Sequence, residues 1–200
     1  PILAGIFIGL ASIKPHFGLL IPLALIAGGY WKTFSSAMTT VVVTVIISTL
    51  ILGGESWIAF FTSAAENLQG FERSTYVYTL MTTVLSTAVM ANIPMDAARA
   101  LQFISMLLML ALVAWVWWRG QQHQETLGLQ AAILCLATPL ALPMTYVYDL
   151  VILVPAIAWI GLDLYTKGAR AIEWFLLIGA TLSIYAIITV AITFGIQIGP

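Results

Sequence analysis

Apolar stretches run almost the whole length of the chain, separated by isolated charges, prolines and glycine pairs. They fall at Ile2–Ile13, Phe17–Tyr30, Phe34–Leu52, Ala97–Trp118, Leu127–Leu142, Val147–Tyr165 and Ile172–Ile196. A helix needs about 20 apolar residues to cross the hydrocarbon of a bilayer. Several stretches are shorter, which tilt, local thinning or burial among neighbours accommodates. From Thr39 to Ile51 the mixture of Val, Ile and Thr would suit a strand in water. In lipid an unpaired strand leaves its backbone polar groups unsatisfied, so a helix is expected there too. The pattern predicts an all-α polytopic transmembrane bundle of about seven spans, forming one domain over residues 1–200.

The one long departure is Gly53–Pro94. It carries Glu55, Glu66, Glu72 and Arg73, with Trp57, Phe60 and Phe61 between them. That mixture predicts an interfacial helix with its aromatic rings in the headgroup boundary. Ser74–Ala91 is apolar but dense in Ser and Thr, and reads as a re-entrant or interfacial segment or as an eighth span.

Composition sharpens the picture. Hydrophobic residues make up 62% of the chain and charged residues 8%, against about 25% charged in soluble domains. So few charges cannot build a water-facing shell, which makes the protein integral to a membrane, with lipids as its immediate partners. The net charge of −1 leaves nothing to neutralise a row of phosphates, so nucleic acid is excluded as a partner. The single cysteine, Cys135, cannot form an internal disulfide, and its apolar neighbours predict a structural rather than a reactive thiol. The chain opens at Pro1, already inside an apolar run, and is expected to be part of a longer polypeptide.

Two constellations could carry chemistry. Lys14-Pro15-His16 lies between two apolar stretches with almost no loop. Pro15 lacks an N–H and disfavours helix at Lys14, so the chain breaks there and holds two cationic-capable groups at or below the membrane surface. An ionisable group at that depth is costly and marks a functional site. Lysine as a point charge and imidazole as a donor would suit a phosphate. A snorkelling lysine beside a turn histidine is the structural alternative. In Tyr146-Val147-Tyr148-Asp149, the acid opens a long apolar stretch. Asp149 could cap that helix, or orient a sugar hydroxyl or a catalytic water, with the tyrosines as a sugar-stacking wall. Arg73, beside Ser74, Thr75 and Tyr76, could also meet a phosphate or sugar. Glu55, Glu66, Glu72 and His123 read as solvated surface, and Asp96 and Arg99 as capping and anchoring at a helix start. No metal-ligand spacing or phosphate-cradling glycine loop is present, and no cofactor is expected.

With these residues in view, the sequence resembles a family of membrane enzymes, the polyprenyl-phosphate-mannose-dependent alpha-1,2-mannosyltransferases of the class C glycosyltransferases. The matching pieces are "IKPHFGLLIPLALIAGGYWKTF", "GGESWIAFF", "WVWWRG" and "ATPLALPMTYVYDLVILVPAIAW", in family order and from the family's C-terminal half. Family members often carry KPQ where this chain has KPH. The resemblance implies transfer of a sugar, mannose, from a polyprenyl-phosphate-linked donor to a hydroxyl of a lipid or glycan acceptor, on the extracytoplasmic face of a bacterial plasma membrane. It implies that Lys14 and His16 meet the phosphate, that Arg73, Tyr146 and Tyr148 contact substrate, and that Asp149 supports catalysis. The general base of such enzymes lies in an early loop, which would fall upstream of Pro1.

One active site requires both constellations on one face. That holds if Ser74–Ala91 does not cross, which places Lys32, Arg119, Lys167 and Arg170 on the opposite, cytoplasmic face. Charge counting alone leans to the other arrangement, in which the segment crosses and separates the two motifs. Helices broken beside polar groups also suit a transporter or flippase, although no inverted repeat is evident. A scaffold whose motifs only shape turns is the third possibility.

Overall fold

A computed structural model describes the backbone of residues 1–72, 77–78, 80–121 and 127–194. The side chains of residues 12, 15, 16, 64, 65, 67–72 and 184–194 lie outside that description. The described chain is helical: α1 (Ile2–Leu10), α2 (Leu20–Ala27), α3 (Trp31–Leu52), α4 (Glu55–Glu72), α5 (Val84–Met90), α6 (Met95–Gly120), α7 (Leu127–Ala141), α8 (Leu153–Lys167) and α9 (Ala171–Phe194). It is an all-α membrane bundle, as the apolar pattern requires.

The seven apolar stretches do not become seven equal spans. Among the described residues, three helical segments are long and apolar enough to cross a membrane: Trp31–Leu52, Met95–Gly120 and Val147–Lys167. Leu127–Ala141 and Ala171–Ser183 are shorter apolar helices. The first two stretches give only α1, of 9 residues, and α2, of 8. At 1.5 Å per residue α2 is about 12 Å long, well short of the hydrocarbon thickness. Between them the chain tightens into two 3₁₀ turns, Ala11–Ile13 and Pro15–Gly18, because Pro15 cannot continue the helix. These turns join α1, which packs on α3, to α2, which packs on α6.

Small residues seat α1 on α3. Gly5 and Gly9 lie one turn apart on α1 and face α3. A Cβ at Gly5 would come within 2.5 Å of the Thr33 carbonyl oxygen, and one at Gly9 within 2.7 Å of that of Ala37. The Ser36 hydroxyl donates to the Ile2 carbonyl at 2.8 Å. This is the small-xxx-small packing that lets helix backbones approach closely in lipid. Then α2 fills the bundle between α6 and α7, where Leu20, Ala24, Leu25, Val113, Trp117, Ala137 and Ala141 form one buried cluster.

The two ends of the bundle differ. At one end, Tyr30 packs edge-on against Trp117 with ring centroids 5.7 Å apart. Gln121 donates its side-chain amide to the Ala27 carbonyl, and the Arg119 guanidinium lies over the Trp115 ring. Lys167 ends α8 and Arg170 precedes α9. These residues make the aromatic and basic belt expected of a membrane interface.

The other end holds an irregular layer. Ser74–Ala91 is not one crossing helix. Among its described residues, Leu80–Thr82 run antiparallel to Thr145–Val147, with Thr82 N donating to the Thr145 carbonyl at 2.8 Å and Val147 N to that of Leu80 at 3.2 Å. Thr83 then caps α5 through a reciprocal pair of bonds with Ser86. Seven residues make α5 about 10 Å long, far too short to cross. Asn92, at φ 59°, reverses the chain into α6. The α5–α6 hairpin is pinned by Gln102, only 5% exposed. Its Oε1 accepts from Leu85 N at 3.0 Å, and its Nε2 donates to the carbonyls of Leu140 and Ala141 at 3.2 Å. Those carbonyls end α7, where Pro143 supplies no N–H. At the start of α6, no side-chain hydrogen bond caps the helix. Asp96 instead lies in its first turn, 3.7 Å from Arg99.

Replacing Gly9 with Leu is expected to push α1 off α3 and cost about 1–3 kcal/mol through overpacking. Replacing Gln102 with Leu should cost a similar amount, about 1–3 kcal/mol, by leaving Leu85 N without its acceptor. Thermal unfolding in detergent, against Leu50→Ala on an exposed face, checks both.

Candidate functional site

The site forms where the α1–α2 turn meets the start of α8. Tyr146 is extended, and Val147–Ile152 turn as a 3₁₀ helix before α8 begins. The Asp149 carboxylate reaches back so that Oδ2 accepts from Tyr146 N at 3.0 Å. Asp149 N donates to the Tyr146 carbonyl at 2.9 Å. The capping role foreseen for Asp149 is therefore present. Its other oxygen, Oδ1, takes the Lys14 ammonium at 2.6 Å, from 135 residues away. Asp149 is 2% exposed and the Lys14 side chain 47%. The carboxylate is sealed in, while the ammonium faces outward.

Aromatic rings frame the ammonium. Lys14 Nζ lies 4.8 Å from the Tyr148 ring centroid and 5.4 Å from that of Phe17, within cation–π range. Tyr146 and Tyr148 stack with centroids 5.3 Å apart and planes 8° from parallel. Tyr148 is exposed and Tyr146 half-buried. The turn lies outside the three spanning helices. The hydrogen bond to Asp149 raises the Lys14 pKa, against desolvation, which lowers it, so the ammonium stays charged at neutral pH. Burial likewise raises the Tyr146 phenol, with the charges of Tyr148 and Asp149 adding to it.

Leu85 N is level with Gln102, seven residues into α6, and the Leu80–Thr82 bridge to Thr145–Val147 lies next to it. That sets the bridge about 10 Å below the start of α6. Ile13, beside Lys14, lines a cavity of about 490 Å³ with Val41, Thr44, Val45, Ser48, Leu52, Ser56, Trp57, Phe60 and Phe61. The cavity wall runs from the middle of α3 to its end and onto α4, where Trp57 Nε1 donates to Thr49 Oγ1 at 2.9 Å. Ile58, Phe60 and Phe61 of α4 are exposed, as an interfacial helix requires.

Of the residues singled out in the sequence, Lys14, Tyr146, Tyr148 and Asp149 come together. His16 sits in the Pro15–Gly18 turn, with its side chain outside the described residues. Arg73, Ser74, Thr75, Tyr76 and His123 lie outside them altogether, as does the side chain of Glu72. Glu55 and Glu66 are exposed on α4, away from this cluster. Phe17 and the Leu80–Thr82 strand went unnoticed in the sequence. Gln102 did carry a signal, being an uncharged polar residue alone in a long apolar stretch.

The model of glycosyltransferase family 87 matches residues 1–143. The chain belongs to that family. It is therefore a membrane glycosyltransferase, with a sugar donor and an acceptor as its partners. The matched region includes the Lys14 turn, α3, α4 and the Gln102 hairpin, and stops three residues before Tyr146. No curated protein and no solved structure matches the chain.

The ion pair has unequal halves. Removing the cation strands a buried carboxylate, whereas neutralising the acid frees an ammonium that can reach water. Lys14→Met should therefore destabilise the protein more than Asp149→Asn, and adding Asp149→Asn to Lys14→Met should restore much of the loss. Unfolding midpoints of the four proteins in one detergent check this.

Proposed function

We propose that this family 87 member transfers a hexose, mannose, from a polyprenyl-phosphate donor to a hydroxyl of a lipid or glycan acceptor on the extracytoplasmic face. The observation that carries the reading is the Lys14 ammonium, half-exposed and framed by rings, one residue along the chain from Ile13 in the wall of an apolar cavity. A cation beside an apolar wall fits an amphiphile with an anionic head and a hydrocarbon chain. The basic belt at the opposite end favours placing that end in the cytoplasm.

In this reading the acceptor oxygen attacks the anomeric carbon as the bond from that carbon to the phosphate oxygen breaks. The electron pair leaves with the polyprenyl phosphate, whose growing charge Lys14 stabilises, with His16 and Arg73 as further phosphate or sugar contacts. A single in-line displacement inverts the anomeric centre. The acceptor proton goes to a carboxylate base, which the resemblance to class C enzymes locates in an earlier loop. The exposed Tyr148 ring, with Tyr146 stacked behind it, offers an apolar face to the sugar.

Membranes holding the full-length protein should transfer labelled mannose from polyprenyl-phosphate-mannose. Lys14→Ala at matched amounts of folded protein should lower transfer about 10–100-fold, the loss of one charge-assisted contact. Tyr148→Phe should stay near wild type while Tyr148→Ala falls. Equal transfer by wild type and Lys14→Ala removes the phosphate role. Flux of the donor across proteoliposomes without covalent transfer would instead indicate a transporter.

A further inference from the structure

We propose that Asp149 is a positioning residue: it fixes the Lys14 ammonium for the donor phosphate and does not itself exchange a proton with the acceptor. The proposal rests on the reading of Lys14 given above. It assigns Asp149 a role different from the one its place in the sequence suggests.

A general base needs an oxygen that the acceptor hydroxyl can reach. Asp149 is 2% exposed, so burial keeps an acceptor hydroxyl from its oxygens. One oxygen holds Lys14 Nζ at 2.6 Å and the other accepts from Tyr146 N at 3.0 Å. Its backbone is held as firmly. Asp149 N bonds to the Tyr146 carbonyl, and the preceding Thr145–Val147 are bridged to Leu80–Thr82. Thr145 and Thr83 on either side of that bridge are buried. The carboxylate is thus a fixed point built by three separate parts of the chain.

Lys14 is the opposite. It projects from a short turn on a flexible four-carbon stem, and 47% of it is exposed. Left to itself such a side chain samples many rotamers and snorkels toward water. One of its three N–H donors is committed to Asp149, which leaves two for an incoming anion. Holding the ammonium between Asp149 and the Tyr148 ring removes the ordering cost that the donor phosphate would otherwise meet. The carboxylate also keeps the site near neutral overall, so the product phosphate is not trapped by an unopposed charge.

The test is a double-mutant cycle on donor kinetics, using the full-length protein in membranes. Asp149→Asn keeps an acceptor for Tyr146 N and should raise KM for the polyprenyl-phosphate sugar about tenfold, with kcat changed much less. Asp149→Glu keeps the charge but displaces it, and should raise KM comparably. In a Lys14→Ala background the Asp149→Asn effect should vanish, because Asp149 acts only through Lys14. Asp149→Glu at wild-type KM would overturn the proposal. So would Asp149→Asn lowering kcat by the same large factor with or without Lys14, the mark of a base. A wild type that transfers no sugar from any lipid phosphate refutes the reading of the site itself. Transfer with an additive cycle refutes the role of Asp149 alone.

Discussion

A carboxylate taken out of water must find a partner, and in this bundle that partner comes from the far end of the sequence. Asp149 is almost fully buried, and among the described residues its compensating charge is Lys14, in the turn between α1 and α2. The contact joins the α1–α2 turn to the entry of α8 and forces both to the same end of the bundle. Everything between must be arranged so that this is possible. Among the described residues, Leu80–Ala91 do not add a span. The two halves of the pair are unequal: losing the lysine leaves a buried carboxylate without its cation, whereas the half-exposed ammonium can reach water.

The pair depends in turn on helices that stop early. Pro15 falls in the turns between α1 and α2, and α7 ends at Ala141, two residues before Pro143. The two breaks meet through Lys14 and Asp149. Backbone freed from helical bonding inside a bundle has to be satisfied by protein. The bridge between Leu80–Thr82 and Thr145–Val147 and the side chain of Gln102 at the end of α7 each do part of this.

Family membership and geometry meet at this turn. Glycosyltransferase family 87 covers Lys14 and the helices that seat it. The exposed ammonium, the tyrosine pair and the apolar cavity beside Ile13 suit a lipid-linked sugar phosphate. Chemistry at the sugar carbon needs little covalent help from such a site. In the proposed reaction it needs a leaving phosphate held still, which is the role proposed for Lys14 with the buried acid behind it.

The sequence by itself determined the solvent and hence the fold class, since a chain with 8% charged residues can only be satisfied by helices in lipid. It also marked Lys14 and Asp149, because ionisable groups flanked by apolar runs and prolines stand out wherever charge is scarce. What it could not determine was which apolar stretches cross. A run broken by Pro15 has the composition of two spans, and only the tertiary structure shows α1 packed through Gly5 and Gly9 on α3 while α2 packs on α6. Nor could it show that Lys14 meets Asp149, or that Leu80–Thr82 bridge to Thr145–Val147. Those are relations between residues 63 to 135 positions apart. Local pattern carries no record of them, and they arise only when tertiary packing decides which buried polar group each other one must satisfy.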